Sequence, residues 1–143
     1  MRFMLISRAT QDSEAGVMPT PEAFEAMNSF HEQMHKAGVL LSAEGLQPTS
    51  KGARVRLKGG KLAITDGPFT EAKEIIAGFT IIQVKTREEA FEWVRRFAAA
   101  MGPKAEAEIE VRQLYSADDF AEQQTPEEKA REDQWRAELA ARK

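Results

Sequence analysis

No cysteine occurs among the 143 residues. This excludes disulfides, thiolate metal sites and cysteine nucleophiles together, so any metal would have to rest on histidine and carboxylates. Histidine is scarce too: His31 and His35 are the two in the chain. Long apolar runs are missing, the longest being a few residues against the roughly 20 that cross a bilayer. The opening MRFMLIS lacks both the extended apolar region and the small-residue cleavage site of a secretory leader. A soluble, cytoplasmic protein is the expectation, without a membrane partner. An excess of positive charge is also lacking. Residues 1 to 115 carry 15 acidic and 15 basic side chains, while residues 116 to 143 carry eight and five, so the net charge of -3 sits in the tail. A neutral body releases few counterions from a phosphate backbone, which argues against nucleic acid as a partner. Nor is there a glycine-rich phosphate loop, and no cofactor is expected.

What is present fits one ordinary domain followed by a tail, with residues 1–116 as the domain and 117–143 as an acidic helical extension. RFMLISR, residues 2–8, reads as a strand covered on both faces, with Phe3 and Leu5 on one and Met4 and Ile6 on the other. Thr20 and Pro21 open a helix that Gly38 ends, with Ala23, Phe24, Met27, Phe30 and Met34 on its apolar side. Strands follow at 39–47, at ARVRLK and KLAITD around Gly59-Gly60, and at 75–84. Thr86 and Glu89 form a T-x-x-E capping box before a helix whose core side includes Ala90, Val94, Phe97 and Met101. AEIEVRQL is a last strand with one polar face.

The order is β, α, β, hairpin, β, α, β. It predicts an α+β, ferredoxin-like split βαβ domain with an extra hairpin strand and both helices on one sheet face. The opposite face then needs cover, and a second subunit packed sheet to sheet supplies it, giving a homodimer. In the tail, Pro126 starts a helix, and Trp135 and Leu139 stand four apart as a narrow docking stripe.

His31-Glu32-Gln33-Met34-His35 matches H-E-x-x-H, in which two histidines on one helix side hold zinc and the glutamate acts as base. A catalytic zinc keeps three protein ligands. Position 41, where a metzincin returns its third histidine, is Leu41, and Glu44 lies on a strand rather than on a downstream helix. A zinc metallohydrolase is therefore disfavoured and no metal site is expected. Only adventitious binding by the two histidines is left, and His31, nearest the apolar stripe, is a marginal site candidate.

ITDGPFTEAKEIIAGF, residues 64–79, carries more information. Asp66-Gly67-Pro68-Phe69 has the residues of a tight turn, and Phe69 puts an aromatic ring into an otherwise polar loop. Two readings follow. Phe69 caps the core while the charges face water, or Asp66, Glu71, Lys73 and Glu74 line a pocket floored by the open sheet face. Such a pocket suits a small polar-headed ligand, or acid–base chemistry where desolvation tunes a carboxylate.

DGPFTEAKEIIAGF, together with AGVLLSAEGLQP, KGARVRLKGGK, EEAFEWVRRF and EIEVRQLYSADDF, resembles the DGPF family of YCII-related proteins across most of residues 1–120. The resemblance implies a ferredoxin-like fold paired as a dimeric α/β barrel. It also implies bacterial proteins often encoded beside extracytoplasmic-function sigma factors, hence a possible sigma-factor link, and no settled activity. YCII-like relatives have a suggested His and Asp active-site pair. Their helix histidine falls near Met27 and their aspartate after the second helix, so the pair is not carried over. Asp66, Gly67, Pro68, Phe69, Glu71, Lys73 and Glu74 carry over as a signature of unassigned role. The expectation is a dimeric small-molecule-binding or enzyme-like protein, the alternative a regulatory or interaction protein, with catalytic residues unassigned.

Overall fold

The computed structural model describes residues 1–142. Contacts gather the chain into two units, Met1–Gln113 and a second that begins at Leu114.

In the first unit, β1 (Arg2–Arg8) leads through a single helical turn, α1 (Gln11–Glu14), to helix α2 (Pro21–Lys36) and strand β2 (Leu40–Gly45). The hairpin strands β3 (Ala53–Lys58) and β4 (Lys61–Asp66) follow, then β5 (Ile76–Gln83), helix α3 (Arg87–Met101) and β6 (Ile109–Gln113). The main sheet has the order β2-β5-β1-β6 and every pair is antiparallel. With the hairpin set aside, this is the ferredoxin-like order, the two βαβ halves interleaved through the central strands β1 and β5. The hairpin forms as its Gly59-Gly60 turn predicts, both glycines at positive φ (58° and 75°). It makes a two-stranded sheet of its own rather than adding to the four.

Strand alternation and helix periodicity meet in one core. Phe3 and Leu5 pair with Ile82 and Thr80, so their side chains share the face that receives the helices. Phe3, Leu5, Ile82, Val84, Phe30, Met34, Val39, Ala90 and Trp93 form the buried cluster. Each large side chain there contributes about 1.5–3 kcal/mol by leaving water. Phe30 anchors it, 6.0 Å from Trp93 edge to face and 5.2 Å from Phe97. Trp93, absent from the expected helix stripe, is more buried than Val94 or Phe97, whereas Phe24, expected in the stripe, is exposed.

The caps form as read. Thr20 Oγ1 accepts from Ala23 N–H and Thr86 Oγ1 from Glu89 N–H. The return half of the Thr86 box is displaced by one residue, Glu89 accepting from Lys85 N–H at 3.0 Å.

The opposite sheet face carries Met4, Ile6, Phe79 and Ile81, bordered by Ser42, Glu44, Glu110 and Arg112. At its end Arg8 ion-pairs with Glu110 and donates to the Glu74 carbonyl oxygen at 3.3 Å.

In the second unit, Ser116 caps a short turn over Ala117–Phe120, and helix α4 spans Pro126–Ala141 behind a reciprocal Thr125–Glu128 capping box. Glu132 and Arg136 pair four apart at 2.7 Å, and Trp135 and Leu139 are exposed. Among the described residues no helix is long and apolar enough to cross a membrane.

Candidate functional site

The root of the hairpin is built by hydrogen bonds between segments distant in sequence. Thr49, in a tight turn at Thr49–Lys51, donates its N–H to the Glu14 carboxylate at 3.1 Å and its hydroxyl to the same carboxylate. Its hydroxyl oxygen also accepts from Phe69 N–H at 3.0 Å, and Gly67 N–H donates to the Gly52 carbonyl at 2.9 Å. Glu14, Thr49 and the loop after β4 are thereby one clasp. Gly67 is required by space, since a Cβ there would lie 1.7 Å from the Thr49 carbonyl oxygen. The following Gly67–Pro68 peptide is cis.

Beside the clasp is an open cleft of about 340 Å³, within the size range of small-molecule sites. Its apolar wall includes Leu46, Phe69, Ile75 and Ile76, and Lys51, Arg54 and Glu74 supply charge. The Arg54 guanidinium lies 4.0 Å from the Phe69 ring centroid, a cation–π contact that fixes the planar cation over the cleft. Glu71 stands 3.9 Å from the same guanidinium. A stacked guanidinium presents its N–H fork to a carboxylate while the ring and aliphatic side chains take an apolar body. Such an arrangement can hold a small anionic molecule with an apolar body.

The five candidate residues do not converge. Glu74 and Phe69 line the cleft, and Glu71 reaches it through Arg54. Asp66 closes β4 opposite Ala53, and Lys73 sits in the turn Ala72–Glu74; all four charged candidates are exposed in the protomer. His31 is on α2 beside Phe30, with ring centroids 6.2 Å apart, and burial pushes its imidazole below the ordinary 6.5. His35 is exposed on the same helix. Among the described residues no three of His, Asp and Glu gather as a metal group.

Sequence reasoning missed Thr49, Lys51, Arg54 and Leu46. A signal for them exists: counted back from the Gly59-Gly60 turn, the hairpin register pairs Ala53 with Asp66. One step further sets Gly52 against Gly67, so residues 49–54 face the DGPF loop.

A model of the YCII-related domain matches residues 1–118, and the chain belongs to that family. An uncharacterized protein of Rhizobium meliloti (strain 1021) is 32% identical over 89 residues, 62% of this chain and 72% of that protein. Among solved structures, 5-chloro-2-hydroxyhydroquinone dehydrochlorinase from Burkholderia phenoliruptrix AC1100, in complex with 2,5-dihydroxybenzoquinone, aligns over 83% of this chain and 98% of its own. Its sequence identity is 14% and its TM-score 0.42.

Proposed function

We propose that the chain works as a cytoplasmic homodimer that binds a small molecule with an anionic head and an apolar body in the cleft at the hairpin root. The observation that carries this is the Arg54 guanidinium stacked on Phe69 at the mouth of an apolar-walled cleft. Arg54 and Lys51 take the head group, Leu46, Ile75 and Ile76 the body, and Glu74 sets its orientation by repulsion or by accepting a hydrogen bond. An acid–base role for Glu74 or Asp66 requires that they be desolvated, which a ligand or a second subunit would have to supply. The dimer reading is supported by the sheet face on which Met4, Phe79 and Ile81 stay half-buried around the buried Ile6, an apolar centre ringed by charge that suits a copy of itself across a two-fold axis.

A thermal-shift screen of carboxylate and phosphate metabolites tests the binding, because a ligand at 100 times its Kd stabilises the fold by about 2.7 kcal/mol. Stabilising ligands are expected to be anionic, and their shift to fall in Arg54→Gln and change in Glu74→Ala. The absence of any hit, or hits indifferent to both substitutions, contradicts the site.

A second reading, an interaction protein of the kind linked to sigma factors, draws on Trp135 and Leu139 exposed one turn apart on α4. Removing residues 117–143 separates the two: lost partner capture with intact ligand binding favours the second.

A further inference from the structure

The β3–β4 hairpin has two faces of opposite character. Its register pairs Val55 with Ile64 and Leu57 with Leu62 on one side, and Arg54 with Thr65, Arg56 with Ala63 and Lys58 with Lys61 on the other. The four apolar side chains are 62%, 71%, 63% and 64% exposed, the largest apolar group left to solvent in the first unit. A two-stranded hairpin alone is marginal in water, and large exposed apolar patches mark contact surfaces. Its root, by contrast, is held by the Glu14–Thr49–Phe69 clasp. The hairpin is thus a defined arm with an uncovered side rather than a slack loop.

Charge indicates what covers it. Between Ala53 and Asp66 there are four cations and one carboxylate, a net +3, and because residues 1–113 are neutral as a whole, the rest of the first unit carries -3. The chain is electrostatically complementary to its own arm, and a second copy is a partner present wherever the chain folds. Reach agrees. The arm leaves beyond the end of β2, where Gly45 pairs with Gly78, and each of its strands has six residues, about 20 Å. Packed sheets lie about 10 Å apart, so the arm is long enough to span that gap and continue along a neighbour.

We infer that the hairpin is an embracing arm: in the homodimer proposed above, on which this rests, each arm crosses to the second copy and buries Val55, Leu57, Leu62 and Ile64 there. The basic side lies next to the acidic surface of the copy. Dimerisation then depends on two surfaces, the sheet face and the arm.

The test compares the full chain with a Leu57→Thr, Leu62→Thr double variant, which keeps strand propensity and removes the apolar side. Sedimentation equilibrium is expected to give a wild-type dimer and a dissociation constant raised about tenfold or more in the double variant. Because the chain has no cysteine, Val55→Cys carrying a thiol-linked benzophenone gives an unambiguous photo-crosslink, expected between isotopically distinct copies. A wild-type monomer overturns the dimer reading itself. A wild-type dimer with an unchanged constant and no inter-chain crosslink overturns the arm and leaves the dimer standing. Sedimentation of the wild type with phosphatidylglycerol vesicles, lost in the double variant while the dimer constant stays put, also overturns it and assigns the arm to an anionic membrane.

Discussion

Gly67 shows how a residue in a signature can be fixed by space rather than chemistry. The obstacle at 1.7 Å is the Thr49 backbone carbonyl, which moves only with the clasp. Gly67→Ala is expected to cost about 3 kcal/mol or more in urea unfolding, at the severe end for single substitutions. Gly52→Ala, in the same root, meets Thr49 only at an ordinary 3.6 Å and is expected to change stability by less than about 1 kcal/mol. Sequence alone left the DGPF loop between a packing role and a site because the deciding contact is with Thr49, far back along the chain. The structure gives it a packing role, Gly67 and the Phe69 backbone building the clasp, and sets the Phe69 ring beside Arg54 in the cleft where we propose binding. His31 has a consequence in solution. Burial holds its imidazole below 6.5, so the unfolded chain takes up the proton first. The stability this contributes is complete above about pH 6.5 and is lost as pH falls through the lower folded value. Denaturation followed from about pH 7.5 to 5.5 is expected to show falling wild-type stability and a flatter profile for His31→Gln. The carboxylates with lowered values, such as Glu128 and Asp119, act only further into acid.

Helix ends were legible because capping is local chemistry. Thr20 and Thr86 each accept the N–H that their sequence context implies, and the tail helix starts at Pro126 as its sequence indicates. Thr86→Ala is expected to lower stability by about 1 kcal/mol, measured by urea unfolding, since it leaves the Glu89 N–H without its hydroxyl acceptor. Strand positions were equally legible from short apolar runs, the Gly59-Gly60 turn and the alternation of AEIEVRQL, but such a pattern states that a strand has an apolar side and not what that side meets. ARVRLK and KLAITD read like any half-buried hairpin, yet β3 and β4 bury nothing within the protomer. The neutral charge count over residues 1–115 likewise hides a segregation that only the hairpin register reveals, with Arg54, Arg56, Lys58 and Lys61 gathered on one side. The clasp residues Glu14 and Thr49 were invisible for a related reason, because the partners of Thr49 lie 35 and 20 positions from it.

For the whole molecule, the ferredoxin-like order follows from the sequence of elements, and membership of the YCII-related domain family agrees with it. The fold leaves three features beyond its own stability: an apolar sheet face, an apolar arm and a cleft where the arm joins the body. In the proposed dimer the first two serve assembly, and the third serves binding. A ligand at the root of the arm would sit against the clasp that aims it, so occupancy and dimer strength should be coupled. Binding at the hairpin root is tested by an amide chemical-shift titration of the full chain with the best anionic hit from the thermal screen. Saturable shifts are expected, concentrated at Thr49 to Arg54, Phe69, Ile75 and Ile76 and abolished in Arg54→Gln. Shifts centred on Met4, Ile6, Phe79 and Ile81, or retained undiminished in Arg54→Gln, would contradict a site in that cleft.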